Sequence, residues 1–320
     1  MQVVQDAYRG SDLPRGAVVT IGNFDGLHRG QREVITTVLD RAEALDAPSV
    51  VITFEPHPLT VLRPSEAPPR LTTLEQKLEL LESVGVDTAL VVRFDHELSR
   101  TSARDFVRHL LVDGLAAREV HVGDDFRFGR DRDGTVAGLQ DLGSELGFTA
   151  HAIDEVVSRG ERVSSTRIRL ALQEGRVESA LRMLERPHSI TGKVVRGDRM
   201  GKRLGWPTIN VATDGQLLPA GGVYACEVRI ASLPATFLGS TNIGTRPTVY
   251  ENYQQVVETH ILDFSSDVYG ERAEILFYKR LRDERIFPTV MDLSAQIGRD
   301  VEATREFFAA RRGLAQQMEQ

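Results

Sequence analysis

Cysteine is all but missing: Cys226 stands alone in 320 residues. A lone cysteine excludes an intrachain disulfide and any cysteine-built zinc cluster. No apolar run approaches the roughly 20 residues that span a bilayer, and no basic-then-apolar leader opens the chain. An excess of positive charge is lacking too. Lys and Arg number 39 against 46 Asp and Glu, a formal net charge of −7, which argues against nucleic acid as the main partner. Long internal repeats and low-complexity tracts are also absent. These absences predict a cytoplasmic protein without nucleic-acid or membrane partners, and leave monomer and homo-oligomer equally open. At 41% hydrophobic and 27% charged residues, the composition is globular, and the length suffices for two domains.

What is present begins with Gly22–Gln31, which reads Gly-Asn-Phe-Asp-Gly-Leu-His-Arg-Gly-Gln. The β-branched run 17–21 before it predicts a strand. Val34, Ile35, Val38, Leu39, Ala42 and Leu45 after it recur at helical spacing. The stretch is therefore a strand-to-helix turn, where free N–H groups and the positive helix end suit an anion. Gly22, Gly26 and Gly30 are spaced by four, which is neither G-x-G-x-x-G nor a P-loop. His28, where the helix begins, can donate to a phosphate. Equally, the glycines serve close packing and His28 caps the turn.

Further strands are predicted at 50–54, 89–92 and 119–122. Helices are predicted from Leu74 to Val84, with Gly85 as terminator, and across 103–111. This alternation predicts a parallel sheet with helices on both faces and ligands beyond the carboxyl ends of the strands. Glu55-Pro56-His57-Pro58 and Gly123-Asp124-Asp125-Phe126 fall there, and Phe54 and Phe126 offer rings to a flat ligand. Ser164-Ser165-Thr166-Arg167-Ile168-Arg169 predicts a capped helix running to Gln173. Its hydroxyls and arginines suit phosphate, or merely begin a helix with solvated arginines. A helix follows over 177–184. Glu185-Arg186-Pro187-His188 then breaks the pattern, which sets domains at 1–186 and 187–320.

Beyond that break, short strands at 190–195, 223–230, 256–262 and 273–279 predict a small antiparallel barrel. A terminal helix closes the chain, with Thr289 and Asp292 in capping-box spacing and Leu293, Ile297, Val301 and Phe308 on one face. Gly197, Gly201 and Lys202 imitate a P-loop one residue short, in a flexible basic loop able to wrap phosphates. Thr208 and Asn210 lie two apart, so an extended segment turns both to one side. Their neutral oxygens suit Mg²⁺. Glu258, mid-strand, either faces solvent or, at the barrel mouth, takes the proton of an alcohol attacking ATP. Asn242–Thr248 reads as a polar turn whose Arg246 meets substrate.

Together these motifs resemble the bacterial bifunctional riboflavin kinase/FAD synthetase family over nearly the whole chain. The first half is similar to its FMN adenylyltransferase module in Gly22–Gly30, Phe54–Pro58, Gly123–Gly129 and Ser164–Arg169. The second is similar to its riboflavin kinase module in Gly201–Asn210, Gly222–Ala225, Asn242–Thr248 and Glu258–Phe264. The resemblance implies a Rossmann-like nucleotidyltransferase domain followed by a kinase barrel. It implies Mg²⁺ and ATP, with riboflavin, FMN and FAD as substrates and products. By correspondence Glu258 is the kinase base and Thr208 and Asn210 hold metal and phosphates beside Gly197, Gly201 and Lys202. Gly22, Asn23, Phe24, Asp25, His28, Gly30, Gln31, Ser164, Ser165, Thr166 and Arg169 bind the second ATP, with His28 and Arg169 catalytic. Phe54, Pro56, Pro58, Asp125, Phe126 and Arg246 take the flavin. One departure stands out: Gln31 occupies a position where the family usually has histidine. Glutamine donates but never carries positive charge, so the alternative is a riboflavin kinase with a weakened or inactive adenylyltransferase half.

Overall fold

The computed structural model describes residues 1–6, 13–154, 156–158, 160–197, 200–213, 215–246 and 254–318, without the side chains of 158, 202, 245, 246, 254 and 315–318. The chain divides into two compact units, Met1–Ser165 and Thr166–Gln320. Among the described residues no helix is long and apolar enough to cross a membrane.

The first unit is built on a six-stranded sheet of β1 (Gln2–Gln5), β2 (Val18–Ile21), β3 (Ser49–Glu55), β4 (Thr88–Arg93), β5 (Glu119–Gly123) and β6 (Thr149–Ile153). Its order is β1-β4-β3-β2-β5-β6, and every pairing is parallel. Val19, Ile21, Ile52 and Val120 pack on one face with Leu110, Leu111 and Leu139. Val51 and Ala89 pack on the other with Ile35 and Leu81. Burial on both faces is why the central strands read as nearly unbroken apolar runs. From β2 the chain steps to β3 and β4 on one side, then returns to β5 and β6 on the other. The carboxyl ends of β2 and β5 therefore flank the crevice where such sheets bind ligands.

The helices of this unit are α1 (Arg29–Ala44), α2 (Pro58–Leu62), α3 (Leu74–Ser83), α4 (Ala103–Phe106) and α5 (Val136–Leu146). Helix α4 continues as a π-helical stretch, Val107–Gly114. A reciprocal cap starts α3: Gln76 N donates to Thr73 Oγ1 at 3.2 Å, and Thr73 N to Gln76 Oε1 at 3.0 Å. Gly85, at φ +93°, follows its end. Strands β1 and β6 go beyond the strands expected from sequence. They lie at the sheet edges, where fewer apolar residues are needed, so the hydrophobic signal is weak. A hairpin of β7 (Val157–Ser158) and β8 (Glu161–Arg162) completes the unit.

Helices α6 (Ser165–Gln173) and α7 (Val177–Leu184) lead into the barrel. The barrel closes in the order β10-β13-β12-β11-β14-β9, from β9 (His188–Val195), β10 (Ile209–Thr213), β11 (Gly222–Ile230), β12 (Thr236–Arg246), β13 (Gln254–Ile261) and β14 (Arg272–Arg282). Two expectations are corrected here. Asn242–Arg246 is the end of β12 rather than a turn, with Asn242 between the buried Thr241 and Ile243 of an alternating strand. Residues 200–203, expected as flexible loop, form the short helix α8 (Met200–Arg203).

Alternation divides the strands. Ile243, Val257, Ile261, Tyr224 and Phe277 turn inward and are buried. Among them the hydroxyls of Thr241 and Thr259 bond to each other at 3.0 Å. Cys226 is also sealed inside, where burial pushes its thiol pKa up, so it is no nucleophile. The terminal helix α9 (Val290–Met318) lies on the outer wall, with Phe308 packed on Ala225, Leu276 and Tyr278. Thr289 caps it, accepting from Asp292 N at 3.1 Å. A buried ion pair pins it to β14: Arg282 Nε meets Asp300 Oδ1 at 3.0 Å and its NH2 meets Oδ2 at 2.8 Å. Removing one partner strands the other charge, at a cost of about 3 kcal/mol. Asp300→Ala should lower the stability of this unit by about that amount, read as an earlier urea midpoint with unchanged slope.

Candidate active sites

In the first unit the Gly22–Gln31 turn is held from several sides. The buried Asp25 carboxylate accepts from Leu71 N at 3.1 Å, Thr72 N at 3.0 Å and Thr72 Oγ1 at 3.1 Å. Gly26 N donates to the same hydroxyl at 3.2 Å. Phe24 and Leu27 are forced to φ +46° and +39°, and Gly26 takes φ +90°. Such backbone in non-glycine residues persists only where the surroundings over-determine it, and it concentrates at binding sites. Asp25 thus shapes the loop through its backbone, while its carboxylate faces the 71–72 turn.

His28 is the N-cap of α1. Gln31 N donates to its Nδ1 at 3.3 Å, and its own N–H donates to Gln31 Oε1 at 3.2 Å. Accepting at Nδ1 places the ring proton on Nε2, the geometry that a phosphate donor requires. The capping reading of His28 is the one the structure shows, and the same cap fixes the orientation of its imidazole. Ser165 Oγ donates to Asp25 O at 2.8 Å, which brings the Ser164–Ser165 pair to the same loop. Thr166 and Arg169 ride the first turns of α6, the former exposed and the latter half-buried.

The β3 end joins this loop as well. The Asn23 amide meets His57 Nε2 at 3.3 Å, in the segment carrying Pro56 and Pro58. Thr53 Oγ1 donates to Asn23 O at 3.2 Å and accepts from Lys77 Nζ at 3.1 Å. Burial draws the Lys77 ammonium below the usual lysine range, partly countered by Asp25 and Glu55. Sequence reading passed over Lys77, because a lysine in an amphipathic helix looks solvated. Phe54 sits edge-on to Phe94 at 6.0 Å, and Phe126 stacks on Phe128 at 5.3 Å. Both rings are half-buried at the core's edge. Asp125 is exposed and paired with Arg162 NH2 at 2.5 Å.

The second unit carries a cleft of about 170 Å³ lined by Thr208, Asn242, Glu258, Trp206 and Arg282 among others. It lies against the outer wall of the barrel, under α8, Trp206 and α9, and not at the mouth, which was one of the two placements left open for Glu258. Register explains the grouping. Asn210 is directly opposite Glu258, and Glu258 directly opposite Asn242, so three polar side chains cross three strands in one row. Ser240 and His260 form the next outward row. Neither was singled out from sequence: Ser240 because β12 was not seen as a strand, and His260 because nothing in the predicted strand 256–262 set it apart from its neighbours. His260 Nδ1 donates to Pro207 O at 2.8 Å, and its ring meets Trp206 edge-on at 5.4 Å. Trp206 Nε1 donates to Ser294 Oγ at 3.1 Å. Glycines allow the close approach: a Cβ on Gly201 would lie 2.3 Å from Trp206 O, and one on Gly197 2.4 Å from Asn210 Nδ2. Asp198, Arg199, Pro247 and Thr248, and the side chains of Lys202 and Arg246, lie outside the described residues.

Two family models match the chain in succession: FAD synthetase over residues 11–167 and riboflavin kinase over 184–308. The bifunctional riboflavin kinase/FMN adenylyltransferase of Escherichia coli K12 is 40% identical over 310 residues, covering 96% of this chain and 98% of that protein. The chain belongs to the bifunctional riboflavin kinase/FMN adenylyltransferase family. The family's enzyme from Pseudomonas fluorescens is likewise 40% identical, over 97% of this chain and 98% of its own. A solved structure described as a macrolide-efflux protein from Streptococcus pneumoniae shares the fold, with a TM-score of 0.86 at 26% identity. It covers 95% of this chain and 99% of that one.

Gly197→Ala tests the cleft. The new methyl displaces the Asn210 amide, so FMN formation should fall about tenfold, the equivalent of roughly 1.4 kcal/mol. FAD formation from supplied FMN should not change.

Proposed function

We infer that the chain makes FAD in two successive steps, each on its own unit. Riboflavin is phosphorylated by ATP to FMN at the barrel's outer cleft, and FMN is adenylylated by a second ATP at the Gly22–Gln31 turn. The observation that carries this reading is the pairing of two separate phosphate-suited sites with two family models in one chain. Functionally we assign 1–186 to the adenylyltransferase and 187–320 to the kinase, with Ser164–Arg169 belonging to the former's chemistry.

In the kinase step the ribityl hydroxyl attacks the γ-phosphorus, its proton passes to the Glu258 carboxylate, and ADP leaves. Glu258 suits that role because the cross-strand row flanks it with neutral Asn210 and Asn242, so a carboxylate stands among amide partners. Thr208 and Asn210 are the residues that would hold Mg²⁺, and their donor set fits: neutral oxygens in a glycine-cleared cradle for a hard cation that keeps phosphates and waters. When bound, that ion neutralises charge on the transferring phosphates. Gly197, Gly201 and Lys202 supply backbone and charge beside it. Arg246, with Asn242, is the proposed riboflavin contact.

In the adenylyl step an FMN phosphate oxygen attacks the α-phosphorus and pyrophosphate leaves. The attacker is already an anion, so alignment and neutralisation replace a base. Nε2–H of His28 donates to the phosphates, joined by the backbone of Gly22–Gly30, the hydroxyls of Ser164, Ser165 and Thr166, and the Arg169 guanidinium. Phe54, Pro56, Pro58, Asp125 and Phe126 line the isoalloxazine side. ATP and flavin are cytosolic metabolites, which supports a cytoplasmic placement.

Gln31 weakens the second step without removing it. Its Oε1 is committed to the cap, which leaves the amide N–H₂ as a neutral donor. A charged donor exceeds a neutral one by about 1 kcal/mol, several-fold in rate. Chromatography of riboflavin, FMN and FAD over time with MgATP tests the whole reading, and FMN without FAD would overturn the second step. Gln31→His should raise FAD formation several-fold and leave FMN formation unchanged.

A further inference from the structure

Central strands of parallel sheets normally carry apolar side chains on both faces, and β5 departs from this. Val120 and Val122 enter the main core. Glu119 and His121, on the opposite face, are buried too. That face is the one covered by α1, since Val18, paired with Glu119, packs on Val38 and Ala42. Register places His151 of β6 directly beside His121, and Thr20 of β2 on its other flank. The two imidazoles stack with centroids 4.7 Å apart. His121 Nε2 lies 2.9 Å from Glu119 Oε2, while Arg41 reaches that carboxylate through Nε at 2.9 Å and NH2 at 2.5 Å. One ligand atom from each of Glu119, His121 and His151 lies within 4.8 Å of the other two. In the same row Thr20 Oγ1 is fully buried and has no hydrogen-bond partner. Buried hydroxyls are rarely left so, and an orphan of this kind points to a bound group.

We propose that Glu119, His121 and His151 form a binding site for one borderline divalent metal ion of the Zn²⁺ class, outside both active sites. Two imidazoles and a carboxylate are a Zn²⁺, Co²⁺ or Ni²⁺ donor set, whereas Mg²⁺ takes oxygen. Residues two apart on one strand, plus a register partner on the next, supply three ligands from one face. The ion takes the lone pair on Oε2 that now accepts from His121, and the His121 ring proton moves to Nδ1. Arg41 keeps Oε1 and orients the carboxylate, as partners behind metal ligands do. Thr20 bonds the water that completes the tetrahedron. The ligand atoms must close to about 3.3 Å apart for bonds of about 2.0 Å. His151, on the edge strand, makes that movement. The ion clamps β5, β6 and α1, the helix that His28 caps.

The test uses the full chain, stripped with a chelator and titrated with Co²⁺ and then Zn²⁺. One Co²⁺ per chain should bind with the d–d absorption of tetrahedral N/O coordination, and Zn²⁺ should displace it. His151→Ala should weaken binding at least about a hundredfold, and His121→Val should abolish it. Zn²⁺ should raise the melting temperature of the wild type and not of His151→Ala. The metal-free melts of those two should agree, so lost binding is not lost folding. No bound ion, octahedral Co²⁺ spectra, or unchanged affinity in both variants would overturn the proposal.

Discussion

The Asp25 carboxylate is the constraint on which the N-terminal site rests. Buried in a turn of its own making, it gathers the amides of Leu71 and Thr72 and the Thr72 hydroxyl. Its main-chain carbonyl receives Ser165. An acid at this depth would be costly without those donors. With them it fixes a loop whose residues Phe24 and Leu27 would not otherwise hold a left-handed backbone. The position of His28 follows, because the cap can form only when the chain enters α1 at the angle that this loop sets. Asp25 thereby decides, through the backbone, where the His28 imidazole stands.

The barrel solves a similar problem by other means. No single loop builds its cleft. Registered strands set Asn210, Glu258 and Asn242 side by side, and the buried Arg282–Asp300 pair holds α9 against them. Side chains carried on strands are placed more stiffly than side chains on loops.

Legibility of these features from sequence follows physical lines. The parallel sheet was readable because Val18–Ile21, Val50–Phe54 and Ala89–Val92 are buried on both sides and say so in composition. The start of α6 was readable from its hydroxyl residues, and the cap of α9 from Thr289 and Asp292. Edge strands β1 and β6 escaped, having too little apolar surface to signal. Strand β12 escaped because Thr241-Asn242-Ile243-Gly244 alternates so thinly that it resembles a turn, and with it went Ser240 and the outer-wall placement of Glu258. The motif residues His28, Thr208 and Asn210 were visible as residue types. Their supports, Lys77 behind Thr53 and Thr72 under Asp25, lie far apart in sequence and carry no pattern. Glu119 and His121 did leave a trace: polar residues alternating within a strand that ought to be wholly apolar.

The placement of this cleft on the outside of the barrel also bears on how such a protein can change over evolutionary time. Along β13 the odd residues Val257, Thr259 and Ile261 are buried and answer to folding, and the even residues Glu258 and His260 line the cleft and answer to what it holds. The two demands fall on different side chains of one strand. Drift in the outward set can therefore retune what the cleft accepts while the closed interior, and the stability that it confers, stays as it was.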